Sequence, residues 1–136
     1  MFVAKAGTIP PEFCSSDRKS IKPEYLDGIK FFLLFREHAI RNFCDKFFRD
    51  NRIKPDIAMK FSSNITCYRM AAAGMGAAII PALTAEIAGA GCEAEIFSLG
   101  DESATWEVRA FYRKGAYIGE PERELMSLAG EIFTRK

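Results

Sequence analysis

The chain has 136 residues, 49% of them hydrophobic and 27% charged, with 19 basic and 18 acidic side chains giving a net charge of +1. That length suits one domain or a piece of a larger one, and the apolar share is enough to build a core. The balanced charge offers no basic surface of the kind that nucleic-acid binding requires.

Residues 1–6 are too short for the apolar core of a secretion signal. The apolar runs at 29–35 and 74–83 fall short of the roughly 20 residues that span a bilayer. The expectation is a cytoplasmic chain with no membrane partner. Cys14, Cys44, Cys67 and Cys92 form no CxxC pair, and the single histidine cannot complete a metal site with them. Buried, reduced thiols are expected, with a redox-sensing pair as the alternative. No metal or cofactor is expected.

In chain order, residues 2–6 read as a short strand and 7–20 as a polar, proline-containing connection. Residues 22–26 suit a single helical turn closed at Gly28. The nearly continuous apolar run 29–35 has the character of a strand buried on both faces, as in a parallel sheet covered by helices. Residues 37–51 follow with Ile40, Phe43, Cys44, Phe47 and Phe48 at helical spacing, and with Asp45 and Arg49 placed to pair on the outer face.

Residues 56–61 alternate, with Ile57, Met59 and Phe61 on one side, which predicts a strand. Ser62, Ser63 and Asn64 are capping candidates for a helix over 65–73, which Gly74 would stop in the left-handed region. A short strand at 76–80 ends at Pro81, a short helix covers 83–88, and strands are expected at 95–99 and 105–113. Pro121 opens a last helix striped by Leu125, Leu128, Ala129, Ile132 and Phe133. This alternation of strands and helices predicts an α/β fold with a largely parallel sheet.

Open α/β sheets bind ligands at the carboxyl ends of their strands. Three segments are expected there: Arg36-Glu37-His38, Ser62-Ser63-Asn64 and Pro81-Ala82. Two of them open helices, whose free N–H groups attract anions. Arg41 could add a charge-assisted bond to a carboxylate. The candidate effector contacts are therefore Arg36, His38, Arg41, Ser62, Ser63 and Asn64. Each has a plainer role open to it: capping for the serines and asparagine, pairing with Asp45 for Arg41, and simple solvation for His38. Catalysis finds little support, since no GxSxG, HExxH, GxGxxG or Walker-type phosphate loop occurs. A Cys44–His38 nucleophile and base is conceivable, but Cys44 lies on the apolar stripe, where a thiol is inert.

Leu26-Asp27-Gly28 followed by Phe31-Phe32-Leu33-Leu34 resembles the pattern L-x-G-x-x-F-I-L-L. The segment 36–41 resembles the loop and arginine that open the next helix, and Phe61-Ser62-Ser63 resembles a strand-to-helix start. The run 72–81, Ala-Ala-Gly-Met-Gly-Ala-Ala-Ile-Ile-Pro, resembles V-A-A-G-L-G-I-A-L-L-P. Together, over about residues 21–133, these resemble the effector-binding domain of LysR-type transcriptional regulators. The resemblance implies a fold like the type II periplasmic binding proteins, with two α/β subdomains joined by two crossover strands and the effector in the cleft between them; the small, anionic character expected of that effector comes from the rim chemistry above. It also implies homo-oligomers and DNA binding through a separate helix-turn-helix domain, which is missing from this chain.

On that pattern the second subdomain, residues 21–100, is complete and the first is only partial. Residues 1–20 supply one crossover strand and a linker, and 101–136 the return strand and final helix. The expected function is ligand sensing in transcription control, without enzymatic activity. The alternatives are a transporter's solute-binding protein, an α/β enzyme and an oligomerisation module.

Overall fold

The computed structural model describes residues 1–89, 93–100 and 109–134. The chain falls into two compact units, residues 1–104 and 105–136.

The first unit is a five-stranded sheet with helices. Its elements are β1 (Phe2–Lys5), β2 (Lys30–Leu34), α1 (Ala39–Asp50), β3 (Asp56–Phe61), α2 (Asn64–Ala72), β4 (Ala77–Ile79), α3 (Ala82–Ala88) and β5 (Ala94–Phe97). Two 3-10 turns, Pro11–Phe13 and Pro23–Leu26, lie in the connection between β1 and β2. The strand order is β3-β2-β4-β1-β5. β2 runs parallel to both β3 and β4, and β1 runs antiparallel to its neighbours β4 and β5. Four strands therefore point one way, and β1 alone runs against them.

The local reasons are visible in the sequence. Phe31, Phe32, Leu33 and Leu34 are all buried because β2 has strands on both edges and helices over both faces. In α1 the residues Ile40, Cys44, Phe47 and Phe48 recur at helical spacing and sink into the core. Phe48 meets Phe31 with ring centroids 5.1 Å apart, and Phe2 stands against both Phe31 and Phe97. Gly74 takes φ +81° after the last turn of α2, where a side chain would be strained. Gly76 serves a different purpose: a Cβ there would lie 2.8 Å from the Lys30 carbonyl, so only glycine lets the two strands approach.

Some expectations are corrected. Met59 does not share burial with Ile57 and Phe61; it is exposed because β3 is an edge strand whose register against β2 shifts after Phe31. Asp45 pairs with Arg41 rather than with Arg49, which lies 3.7 Å from Asp50 instead. The strand expected over 105–113 lies partly outside the described residues, and 109–113 do not form one.

In the second unit α4 (Glu120–Thr134) has Pro121 in its first turn together with acidic residues, which favour the helix dipole there. Leu125, Leu128, Ile132 and Phe133 along it are exposed.

Candidate functional site

Chain direction fixes where a ligand site would lie in the first unit. The path from β2 through α1 moves outward to β3. The path from β3 through α2 returns past β2 to β4, and that from β4 through α3 continues the same way to β5. Right-handed crossovers then put α1 on one face and α2 with α3 on the other; α2 accordingly packs against α3, β4 and β1. At the carboxyl end of β2 the chain leaves toward one face, while on both neighbouring strands it leaves toward the other. Such a switch point opens a crevice at the strand ends.

The segments 35–38, 62–64 and 81–82 all leave the sheet at that end. Leu34 pairs with Phe61 and Phe32 with Ala78, which sets Phe35 level with Ser62 and near Pro81. Phe35 donates its N–H to the Phe61 carbonyl at 3.0 Å and is exposed beyond it. The structure thus brings together the loop of Arg36 and His38 with Ser62, Ser63 and Asn64.

Their individual positions differ. Arg36 and Ser62 are exposed. His38 is the residue before α1, and its carbonyl accepts from the Arg41 N–H at 2.9 Å while its ring makes no capping bond. Ser63 caps α2, its Oγ accepting from the Thr66 N–H at 3.4 Å. The N–H groups of Asn64 and Ile65, in the first turn, have no carbonyl within the helix to meet. Asn64 Oδ1 is a buried acceptor without a hydrogen-bond partner. A buried, unmet carbonyl is costly.

Arg41 is turned inward. It is 2% exposed, its Nη1 donates to the Leu34 carbonyl at 3.1 Å, and its Nε donates to Asp45 at 2.8 Å. It ties the end of β2 to α1 from below the rim. The sequence reading did not foresee this brace; the signal that could have shown it is that Arg41 falls at helical spacing with the apolar Cys44 and Phe48.

The nucleophile reading of Cys44 meets a chemical obstacle. Burial pushes its thiol up to about 12, and the Asp45 charge adds to the effect. Burial likewise raises Cys67 to about 11. Thiols so shifted hold almost no thiolate at neutral pH. Cys14, Cys44 and Cys67 are free, and Cys92 lies outside the described residues. Among the described residues no group of three or more His, Cys, Asp or Glu could hold a metal ion, and no helix is long and apolar enough to cross a membrane.

Sequence reasoning missed a second hollow. The connection 14–23, which reads as a polar loop, folds back as a hairpin beside β5 and walls a groove of about 500 Å³. A smaller one, of about 170 Å³, lies at the opposite end of the sheet from the rim and includes Lys5, Tyr25, Lys30 and Gly74. Neither hollow coincides with the switch point.

Comparison with known proteins bears on the whole arrangement. The family model for the LysR substrate binding domain matches residues 8–133. Curated protein sequences give no significant match. Among solved structures, the effector binding domain of QuiR in complex with shikimate superposes with a TM-score of 0.64 at 15% identity, covering 96% of this chain. The chain spans 59% of that solved chain. At that identity the likeness is one of fold, and it is to an effector domain with the type II binding-protein architecture. The match over 8–133 assigns the residues: this chain belongs to the LysR substrate-binding domain family.

Proposed function

We propose that the chain is a ligand-sensing part of a LysR-family transcription regulator, with no catalytic activity of its own, and that its effector is a small hydroxylated carboxylate. The observation that carries this is the chemistry at the start of α2. Free N–H groups at the Ser63-capped terminus suit an anionic head, and the unpartnered Asn64 Oδ1 beside them suits a hydroxyl. Arg36, His38 and Ser62 supply further polar contacts on the same rim, and Arg41 holds the rim in place. Shikimate, the ligand in the QuiR complex, is of the same chemical kind.

In the complete regulator the effector would lie in a cleft between this subdomain and its partner subdomain. Residues 1–20 and 101–136 supply the crossings between the two. Closure on the effector shifts how subunits of a cytoplasmic homo-oligomer present separate DNA-binding domains. The subdomain assignment 21–100, the oligomer and the control of DNA are part of the same proposal, and they rest on the family.

The test is a thermal-shift and calorimetric titration of the chain with shikimate and a panel of hydroxy acids, against cyclohexanecarboxylate as the hydroxyl-free control. Ligands that bind only the folded state raise its stability. The expected result is a rise in Tm with a hydroxy acid, absent with the control and lost in Asn64→Ala. A flat response to the whole panel, or a response unchanged in Asn64→Ala, defeats the assignment.

A further inference from the structure

We propose that the groove beside the 14–23 hairpin is a second small-molecule site, separate from the strand-end rim, and that it takes a carboxylate with an apolar ring or branched body. Its volume of about 500 Å³ falls within the usual range for metabolite pockets, whereas the hollow of about 170 Å³ at the far end of the sheet is too small.

The floor is apolar. Ile21, Phe47 and Leu99 line it and are each at most 4% exposed, with Pro23 beside them. Among the described residues the rim of the groove is polar, and the charge it carries is basic. Lys22 brings an ammonium, which also donates to the Glu12 carbonyl at 2.7 Å, Ser20 a hydroxyl and Asn51 an amide, and among the described residues no carboxylate lines it. The Asn51 Nδ2 donates to the Phe47 carbonyl, and that bond holds the amide at the mouth.

The wall is pre-formed. Cys14 bridges to Ile21, and the Ser15 N–H donates to the Ser20 carbonyl at 2.9 Å. The Ser15 hydroxyl donates to Asp17 and accepts the N–H groups of Lys19 and Ser20, so it is spent on the turn. Arg18 pairs with Glu95 of β5 at 2.8 Å, which ties the hairpin tip to the sheet. A ligand entering here meets fixed polar groups, and little conformational entropy is lost in ordering them.

Separation from the effector rim follows from α1. Asn51 and Phe47 sit at its C-terminal end and His38 at its start, which places the two sites about 15–20 Å apart along the helix axis. The class of ligand differs too: among the described residues no unmet buried acceptor lines this groove.

The experiment is a ¹H–¹⁵N titration of the whole chain with benzoate, with benzyl alcohol as the neutral isostere. Benzoate is expected to shift the amide signals of Ser20, Ile21, Lys22, Asn51 and Gly100 while leaving those of Ser62, Ser63 and Asn64 in place. Lys22→Met keeps the aliphatic stem and is expected to weaken binding about two- to five-fold, the range of one exposed ion pair. Ser20→Leu, which fills the groove, is expected to abolish the shifts. Benzoate shifts confined to residues 35–38 and 62–64, equal binding of benzyl alcohol, or no shifts up to about 10 mM, beyond which binding is too weak to count, would each overturn the second site. A rim response to hydroxy acids would survive any of these outcomes, so this site and the effector assignment fail independently.

Discussion

Replacing Arg41 by alanine tests whether this residue is a brace or a ligand contact. Its guanidinium makes two bonds of unequal worth. The pair with Asp45 reaches solvent, since the Asp45 side chain is 40% exposed, and contributes about 0.5 kcal/mol after screening. The bond to the Leu34 carbonyl is buried and charge-assisted, and such bonds contribute about 1.5–3 kcal/mol. Arg41→Ala should therefore cost about 2–3 kcal/mol, a large share of a typical stability of about 5–15 kcal/mol. Asp45→Asn keeps an acceptor for Nε and should cost less than about 1 kcal/mol. Urea unfolding of the two variants, at unchanged m-value, measures both. If Asp45→Asn costs as much as Arg41→Ala, the aspartate and not the Leu34 carbonyl holds the guanidinium. An Arg41→Ala variant as stable as the parent but deaf to hydroxy acids would return Arg41 to the role of effector contact.

Three further outcomes follow from single residues. Gly76→Ala forces a Cβ to 2.8 Å from the Lys30 carbonyl and 3.0 Å from the Phe32 ring, and should cost about 1–3 kcal/mol in chemical denaturation; an unchanged midpoint would mean that β2 and β4 separate freely. Cys44 and Cys67, buried and with raised pKa values of about 12 and 11, should resist a thiol reagent at pH 8 in the native protein and react on unfolding, as peptide mapping would show. Prompt native labelling of Cys44 would instead reveal an open helix α1. The Asp17 carboxyl, held below its ordinary range first by the Ser15 hydroxyl and then by the Lys19 N–H, should titrate upward in Ser15→Ala by carbon-detected NMR. Its depressed folded-state value means that its small stabilisation is present above the ordinary carboxylate range and fades as pH falls through the folded value. A Ser15→Ala titration identical to the parent's would show that the turn does not hold Asp17.

What the sequence made legible is periodicity. The apolar run of β2, the stripe Ile40, Cys44, Phe47 and Phe48, and the left-handed stop at Gly74 are local signals, and each reappears in the fold. Pairing is not local. Nothing in Phe-Val-Ala-Lys says that β1 would insert antiparallel between β4 and β5. The side chain of Met59 alternates correctly in sequence and is still exposed, because edge position and a register shift decide its burial. The rim residues were legible as strand-end loops, but not how they divide the work. Ser63 and not Ser62 became the cap, and Arg41 turned inward, because those choices depend on the backbone angle at each helix entry.

The division of labour at the rim has a physical logic. An arginine exposed at a strand end would hold an anion by a flexible, water-screened charge, at a cost in side-chain entropy. Here the arginine is spent on the scaffold, and it fixes the end of β2 against α1. The start of α2 carries backbone N–H groups and one buried, unpaired amide oxygen, groups that are ordered before any ligand arrives. Recognition built on fixed short groups distinguishes hydroxyl placement, whereas recognition by a mobile cation mainly reads charge. A sensor meant to tell one small hydroxy acid from others of equal charge gains more from the first arrangement. On the proposed reading the exposed Arg36 draws the anion in, while selectivity would rest on Asn64 and the capped helix start.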